Sequence, residues 1–504
     1  MSISQSNYSH LVQIVWDVNN VLRSSGMNVD EGRDIVLALF FLKALSDRFK
    51  VELEKLKEEH GDFKEEDVEL NLDIFTDSCS LIVPKEARFS FLLNSLNSDD
   101  YSHLLLSAFR IMEDTNPMLF GVFSDAELQI KRVDSGRVRG NYFKDIISIL
   151  SEIDLRPDKG INVGIIFIQL IELYASANGK KSGEFYTPQS ITLLLTQLLE
   201  PTRHEEIYDP ACGSGSLLAS LSDFAMKNFS GECAVFLYGQ EKNISTSNVA
   251  RMNLILNCPS KHQIETGDTI ENPAFLDEGH LKKFDIVVST PPFSLRMWGE
   301  EFAMKDAFGR FKWGVPPKTK GDYAFISHML SSLKECEGRM AVVVPHGVLF
   351  RGAAEGRIRK NIINDNLLDA VIGLQPNLFF GTGIPAAIMI FKKSKVDDRV
   401  FFIDASEEYV DGKRQNSLSD ENISKIVEIF KTRKEVKAFS RNVSLKEMSD
   451  NDFNLNISRY IDDFEEKDDL NLDAELANRY ALQKELKALE CELDNFLVQL
   501  RNKN

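Results

Sequence analysis

The sequence predicts an α/β protein built on a doubly wound sheet, with helical segments before and after it. Two observations carry this. From Ile207 onward, short β-branched runs alternate with helix-length segments, and continuous apolar strands suit a sheet covered on both faces. Within that region, Ile207-Tyr208-Asp209-Pro210-Ala211-Cys212-Gly213-Ser214-Gly215-Ser216 reads as a strand, a glycine turn, then the helix Leu217–Asn228. Gly213 and Gly215 remove Cβ atoms where the backbone must bend and approach a ligand. Such a turn at the C-terminal end of a strand is where doubly wound sheets bind a nucleotide-like molecule.

The 504 residues suggest two to four domains. The six cysteines are scattered with no CxxC pair, so neither a metal site nor a disulfide framework is expected, and a reducing, cytoplasmic location is. No signal pattern opens the chain, and the apolar run Ile35–Leu42 is too short to span a bilayer, so no membrane partner is expected. The net charge of −18 counts against a simple nucleic-acid binder. Charge is uneven, however. Arg296–Lys320 holds six basic and three acidic residues, Arg351, Arg357, Arg359 and Lys360 form a second basic group, and acids gather in Glu52–Glu69 and Asp462–Glu475. The expectation is a basic working face on an acidic body, against the plainer alternative of ordinary solvated loops.

Taken in order, the first 155 residues read as a helical domain. Leu11, Ile14, Val15, Val18 and Leu22 have amphipathic spacing, and Asp30 could cap a helix with Arg33–Phe49 as its body. Another apolar helix lies between Asn162 and Tyr174. After a polar loop, Glu184-Phe185-Tyr186-Thr187-Pro188 opens the helix Gln189–Leu199, with Thr187 as N-cap and Pro188 at the first helical position. Candidate strands are Glu206–Asp209, Val235–Gln240, Gln263–Thr266, Asp285–Ser289, Met340–Pro345, Leu368–Gly373 and Ala387–Lys392. Glu241 ends the second strand, where an acid suits ribose hydroxyls. Asp268 ends the third, and the fourth runs into Thr290-Pro291-Pro292-Phe293. After Lys393 the sheet pattern fades. Leu482, Leu486, Leu489, Leu493, Phe496 and Leu500 recur at spacings of four and three, a coiled-coil-like seam too short to stand alone.

This ordered series resembles the S-adenosyl-L-methionine-dependent DNA adenine-N6 methyltransferases, and within them the modification (M) subunit of type I restriction-modification systems. Asp209-Pro210-Ala211-Cys212-Gly213-Ser214-Gly215 looks like the family's cofactor loop, Gly183 to Pro188 like its upstream cofactor motif, and Thr290-Pro291-Pro292-Phe293 sits where the family carries Asn-Pro-Pro-Phe. The resemblance implies the S-adenosylmethionine-dependent methyltransferase fold, a seven-stranded, mostly parallel sheet whose last strand inserts antiparallel. It implies cofactor contacts from Glu184, Phe185, Tyr186, Thr187, Asp209, Ala211, Gly213, Ser214, Gly215, Glu241 and Asp268, and catalytic roles for Thr290, Pro291, Pro292 and Phe293. It implies domains of 1–155 (helical), 156–440 (catalytic) and 441–504 (helical tail for docking). The partners implied are double-stranded DNA, a specificity (S) subunit and a second copy of the chain, and a restriction (R) subunit is admitted.

The adenine amine is a poor nucleophile because its lone pair is delocalised. A catalyst must accept hydrogen bonds from both N–H groups of a base taken out of the duplex. In the resembled family an Asn side chain and the following Pro carbonyl do this. Thr290 is the chief departure: a hydroxyl accepts a hydrogen bond, yet it is shorter than an amide and its own proton needs a partner. Two readings stay open, a working enzyme and a catalytically weak scaffold that binds cofactor and DNA. A small-molecule or RNA methyltransferase is a third. Cys212 reads as a packing residue, since no general base adjoins it. His346 reads as a turn or DNA-facing residue.

Overall fold

A computed structural model describes residues 5–24, 27, 29–60, 81–135, 142–157, 162–178, 186–229, 235–258, 261–379, 382–412, 415–461 and 472–501. The first part is helical: α1 (Gln5–Ser24), α2 (Val29–His60), α3 (Phe89–Asn94), α4 (Tyr101–Thr115), α5 (Ser124–Ser135), α6 (Tyr142–Ser151) and α7 (Val163–Asn178). Val18, Leu39, Phe40, Phe109, Phe123 and Phe167 form its core. Asp30 does not cap α2; it lies inside the helix, which continues through the charged stretch to His60 because Leu53 and Leu56 keep one face buried.

Next come α8 (Gln189–Leu199), β1 (Glu206–Asp209), α9 (Ser216–Asn228), β2 (Phe236–Glu241), α10 (Ile244–Asn257), β3 (His262–Thr266), a small hairpin β4 (Leu276–Asp277) and β5 (His280–Leu281), and β6 (Ile286–Ser289). They are followed by α11 (Glu300–Ala303), α12 (Asp322–Ser331), β7 (Arg339–Pro345), α13 (Ala353–Asn364), β8 (Leu368–Leu374), β9 (Ala386–Lys392), β10 (Val400–Ala405), α14 (Asp420–Thr432), β11 (Ser440–Val443) and α15 (Leu445–Asp450). All seven expected strands are present, each within a residue of its expected ends. They belong to a nine-stranded sheet in the order β11-β10-β8-β9-β7-β6-β1-β2-β3. β9 runs antiparallel to both β7 and β8, as the resemblance implied.

The sheet does not fade after Lys393. β10 pairs parallel with β8, and β11 closes the edge antiparallel to β10. The expected domain limit at 440 therefore falls on the first residue of β11, and Val443, Met448, Leu455 and Ile457 pack into the sheet's core. Successive residues of β7 face opposite layers, as the pleat requires: Ala341 and Val343 meet α8, α9 and α14 residues, while Val342 and Val344 meet α12 and α13 residues. Helix α10 joins the two halves of the molecule. Its Ala250 and Leu254 pack under the sheet, and its Val249, Met252 and Ile255 complete the N-terminal core.

The final helix is α16 (Leu472–Arg501). Leu482, Leu486, Leu489 and Leu493, the described part of the seam, are 57–59% exposed and so are not packed on their own domain. Cys258 is in a disulfide, which the scattered cysteines gave no reason to expect. Among the described residues, no helix is long and apolar enough to cross a membrane.

Candidate active site

Strand β1 ends at Asp209, and the chain enters α9 through Gly213 (φ +54°) and Gly215 (φ +72°). A Cβ on Gly215 would lie 3.3 Å from the Cα of Ala250, so the turn is pressed against α10 in a conformation that suits only glycine. Cys212 N–H donates to the Gln240 carbonyl at 3.1 Å, and Gly215 N–H to the Cys212 carbonyl at 2.9 Å. The first bond ties the loop to β2 and the second closes the turn. The Cys212 sulfur packs against Gly239, and burial pushes its thiol well up, as fits a packing role.

The two strand-end acids hold the adjoining turns. Glu241 accepts from Gly213 N–H at 3.1 Å and from Asn243 N–H at 2.8 Å, and burial raises its pKa. Asp268 accepts from Ile270 N–H at 2.9 Å and Lys242 Nζ at 2.8 Å. Each carboxylate oxygen carries two lone pairs, so each acid keeps acceptor capacity for a ligand hydroxyl or amine. Asp209 is almost fully enclosed and accepts from Ala211 N–H at 3.0 Å. Burial pushes its carboxyl up to about 7; Ala211 N–H and the nearby Ser289 hydroxyl pull the other way, and Glu241 adds to the rise. That hydroxyl falls short of full hydrogen-bond geometry.

One cleft is lined by Tyr186 and Thr187 ahead of α8, by Asp209, Ala211, Gly213 and Ser214 of the glycine loop, and by Thr290 at the end of β6. Three stretches separated by up to about a hundred residues thus meet at the carboxyl ends of the interior strands β1 and β6. Glu241 and Asp268 are not in that lining; Glu241 reaches it through Gly213, and Asp268 follows the neighbouring strand β3. Glu184 and Phe185 lie outside the described residues. Thr187 does not cap α8, whose N-cap is Pro188 with no side-chain bond, while the helix itself runs Gln189–Leu199 as expected. Tyr186 is buried beside Glu172 of α7, linking the cleft to the N-terminal helices.

The Thr290 hydroxyl is buried with no hydrogen-bond partner. Pro291 is buried and Pro292 half-buried behind it, and Phe293 meets Phe379 edge-on, ring centroids 5.3 Å apart at 66°. The next residue, Ser294, has φ +53° and donates its N–H to Asp322 Oδ1 at 2.8 Å. Asp322 Oδ2 accepts from Arg351 Nη2 at 2.5 Å, and Arg351 grips Glu355 through two bonds of 2.6 and 2.9 Å. This clamp fixes the turn that carries Phe293. In the sequence Arg351 is one of the second basic group, and nothing marks Glu355 or Phe379.

The basic face is smaller than the sequence suggested. Arg310 is 2% exposed and acts as a strut, bonding Asp306 at 2.7 Å and the Thr269 and Ile270 carbonyls at 3.1 and 2.8 Å. Arg359 is buried likewise and donates to the Phe453 and Val348 carbonyls. Arg296, Lys305, Lys312, Lys318, Arg357 and Lys360 remain exposed.

A family model described as N-6 DNA Methylase matches residues 161–469, and one described as HsdM N-terminal domain matches residues 11–149. The type I restriction enzyme MjaVIII methylase subunit of Methanocaldococcus jannaschii is 31% identical over 458 residues, covering 87% of this chain and 76% of that protein. The MjaVII methylase subunit of the same organism is 32% identical over 368 residues, and the match spans 70% of this chain and 62% of the relative. The crystal structure of a type I restriction-modification system methyltransferase subunit from Streptococcus thermophilus superposes with a TM-score of 0.80 at 34% identity, covering 90% of this chain and 99% of that one.

Proposed function

The chain belongs to the N-6 DNA methylase family, among the methylase subunits of type I restriction enzymes, and from that premise we propose that it methylates adenine N6 in DNA at a site chosen by a specificity subunit. The observation that carries this reading is the single cleft shared by Tyr186, the glycine loop and Thr290. The donor is S-adenosyl-L-methionine, which when bound supplies an electrophilic methyl group. The site fits it: the positive-φ glycines leave a cradle free of Cβ atoms, and two acids with spare acceptor capacity stand at adjacent strand ends.

Glu241 accepts the ribose hydroxyls, Asp268 accepts the adenine amine of the cofactor, and the loop from Asp209 through Ala211 and Ser214 to Gly215 presents backbone groups. Tyr186 and Thr187 wall the opposite side. At the target base, the Thr290 hydroxyl and the Pro291 carbonyl accept from the two amine N–H groups, drawing the lone pair out of the ring toward the methyl donor. The unpartnered Thr290 oxygen supports this, because no internal bond competes for its lone pairs. Phe293, backed by Phe379, stacks on the everted base, and Pro291 and Pro292 hold the acceptors rigid before substrate arrives. A proton then leaves the methylated amine to solvent.

In this reading residues 1–155 help enclose DNA, the exposed bases around Arg296–Lys318 meet phosphates, and α16 docks its leucine seam on the specificity subunit. Two copies join one such subunit, with a restriction subunit able to accompany them. A second reading rests on Thr290 standing where the family has Asn: a scaffold that binds cofactor and DNA but transfers poorly. The test reconstitutes the complex with labelled S-adenosylmethionine and site-bearing duplex, comparing the native chain with Thr290→Asn. Transfer by the native chain is expected, with a gain of up to ~10²–10³-fold in the variant from a better-aimed acceptor. Transfer by the Asn form alone establishes the scaffold reading instead.

A further inference from the structure

Gln375 follows β8 directly. It is 1% exposed, and neither its side-chain oxygen nor its nitrogen has a hydrogen-bond partner. Native folds seldom leave both ends of a buried amide unpaired without a reason. Gln375 lines a cavity of about 570 Å³, with Pro376 and Asn377 on one side and Ser406, Glu407, Tyr409 and Asp411 on the other. Asn416 N–H donates to the Asn377 carbonyl at 2.9 Å and the Gln415 amide donates to the Leu378 carbonyl, so the two sides are fastened together.

The lining says what could enter. Glu407 and Asp411 bring two carboxylates, neither of them in an ion pair among the described residues. Beside the unpaired Gln375 amide, these carboxylates would hold a group that donates N–H bonds. Gln375 offers one donor and one acceptor side by side, the pair that matches the edge of adenine, and a carboxylate accepts from the amine of cytosine. Tyr409, 39% exposed, offers a ring face for stacking.

Place completes the argument. β8 and β10 run parallel to β6, so the cavity lies at the same, carboxyl end of the strands as Thr290. Four residues beyond Gln375, Phe379 touches Phe293. We infer that this cavity receives a second unpaired nucleobase bearing an exocyclic amine, adenine or cytosine, beside the base held at Thr290 and Phe293. The inference rests on the DNA-methylase reading above.

The test uses the full chain saturated with S-adenosylhomocysteine, so that the cofactor site cannot take a base. It is irradiated with a single-stranded oligonucleotide carrying 5-iododeoxycytidine, and adducts are mapped by mass spectrometry. Adducts are expected at Tyr409 and separately at Phe293, and Gln375→Leu is expected to lower the Tyr409 adduct roughly tenfold while leaving that at Phe293. Gln375→Met, of similar size, repeats the test should the first variant misfold. Adducts at Phe293 with none at Tyr409, or a Tyr409 adduct indifferent to both variants, overturn the inference while leaving the methylase reading intact. Adducts at neither residue bring down the DNA reading and this inference with it. In the reconstituted complex, a specificity-subunit cross-link at Tyr409 that excludes the oligonucleotide makes the cavity a protein dock and equally overturns it.

Discussion

Asp322 offers the sharpest test of how the active site is held. Its two oxygens do different jobs: one fixes the N–H of Ser294, in the residue after Phe293, and the other is bound by Arg351. In Asp322→Asn the shape survives and the amide oxygen can still accept from Ser294. The charged bond to Arg351 is lost, a change worth about 1.5–3 kcal/mol for such bonds. The lower half of that range is expected, since Arg351 is 22% exposed and keeps Glu355. In Asp322→Ala both bonds go, Ser294 loses its acceptor, and ~3–5 kcal/mol is expected for a broken buried pair. The positive φ of Ser294 then has nothing to hold it, and misplacing a reacting group by about 1 Å can cost ~10²-fold in rate. The assay is urea denaturation alongside single-turnover methyl transfer in the reconstituted complex, with rates taken per folded molecule. Asn should lose stability with a modest rate loss, and Ala should lose about a hundredfold in rate. An Ala variant that is destabilised yet transfers at the native rate refutes the positioning role and leaves Asp322 a structural residue only.

Three further outcomes are expected. Gly215→Ala forces an L-residue to φ +72° with its Cβ 3.3 Å from the Ala250 backbone, at a cost of about 1–2 kcal/mol from conformation alone; calorimetry should show cofactor affinity down about tenfold or more. Asp209 has a folded-state carboxyl near 7 against an ordinary value of ~3.9, so the folded chain holds its proton more tightly than the unfolded chain. Its stabilising contribution is complete below about pH 4 and is lost as pH rises to about 7, on the order of 4 kcal/mol in all, and Asp209→Asn should flatten urea midpoints across that window. Finally, Leu486→Asp with Leu489→Asp changes only exposed positions of α16, so the melting temperature should hold while co-purification with the specificity subunit is lost.

Much of the fold was legible because its strands are written in the strongest local signal. Runs such as Val342-Val343-Val344 and Ile286-Val287-Val288 admit few other states, and their positions hold to within one residue. β11, Ser440–Val443, carries no such signal: three of its four residues are polar, it sits at the sheet's edge, and it is a strand only because β10 offers it a partner. The glycine loop was legible because positive φ leaves a mark in residue type. The clamp was not, because Ser294, Asp322 and Arg351 are far apart in sequence and each is unremarkable alone. Charge counting failed at Arg310 and Arg359 for a related reason. A guanidinium can be buried when carbonyls from distant segments accept from it, as those of Thr269, Ile270, Val348 and Phe453 do here.

The placement of β9 bears on how the chain is made. β7 and β8 never touch; the strand between them, Ala386–Lys392, is the last of the three to be synthesised. A growing chain that has emerged only as far as Leu374 therefore carries β7 with one edge unpaired and β8 with no strand partner at all, both largely apolar, with nothing native to zip them. Ribosomal pausing within the next dozen or so codons would prolong that exposure, and it is there that a chaperone would find most to hold.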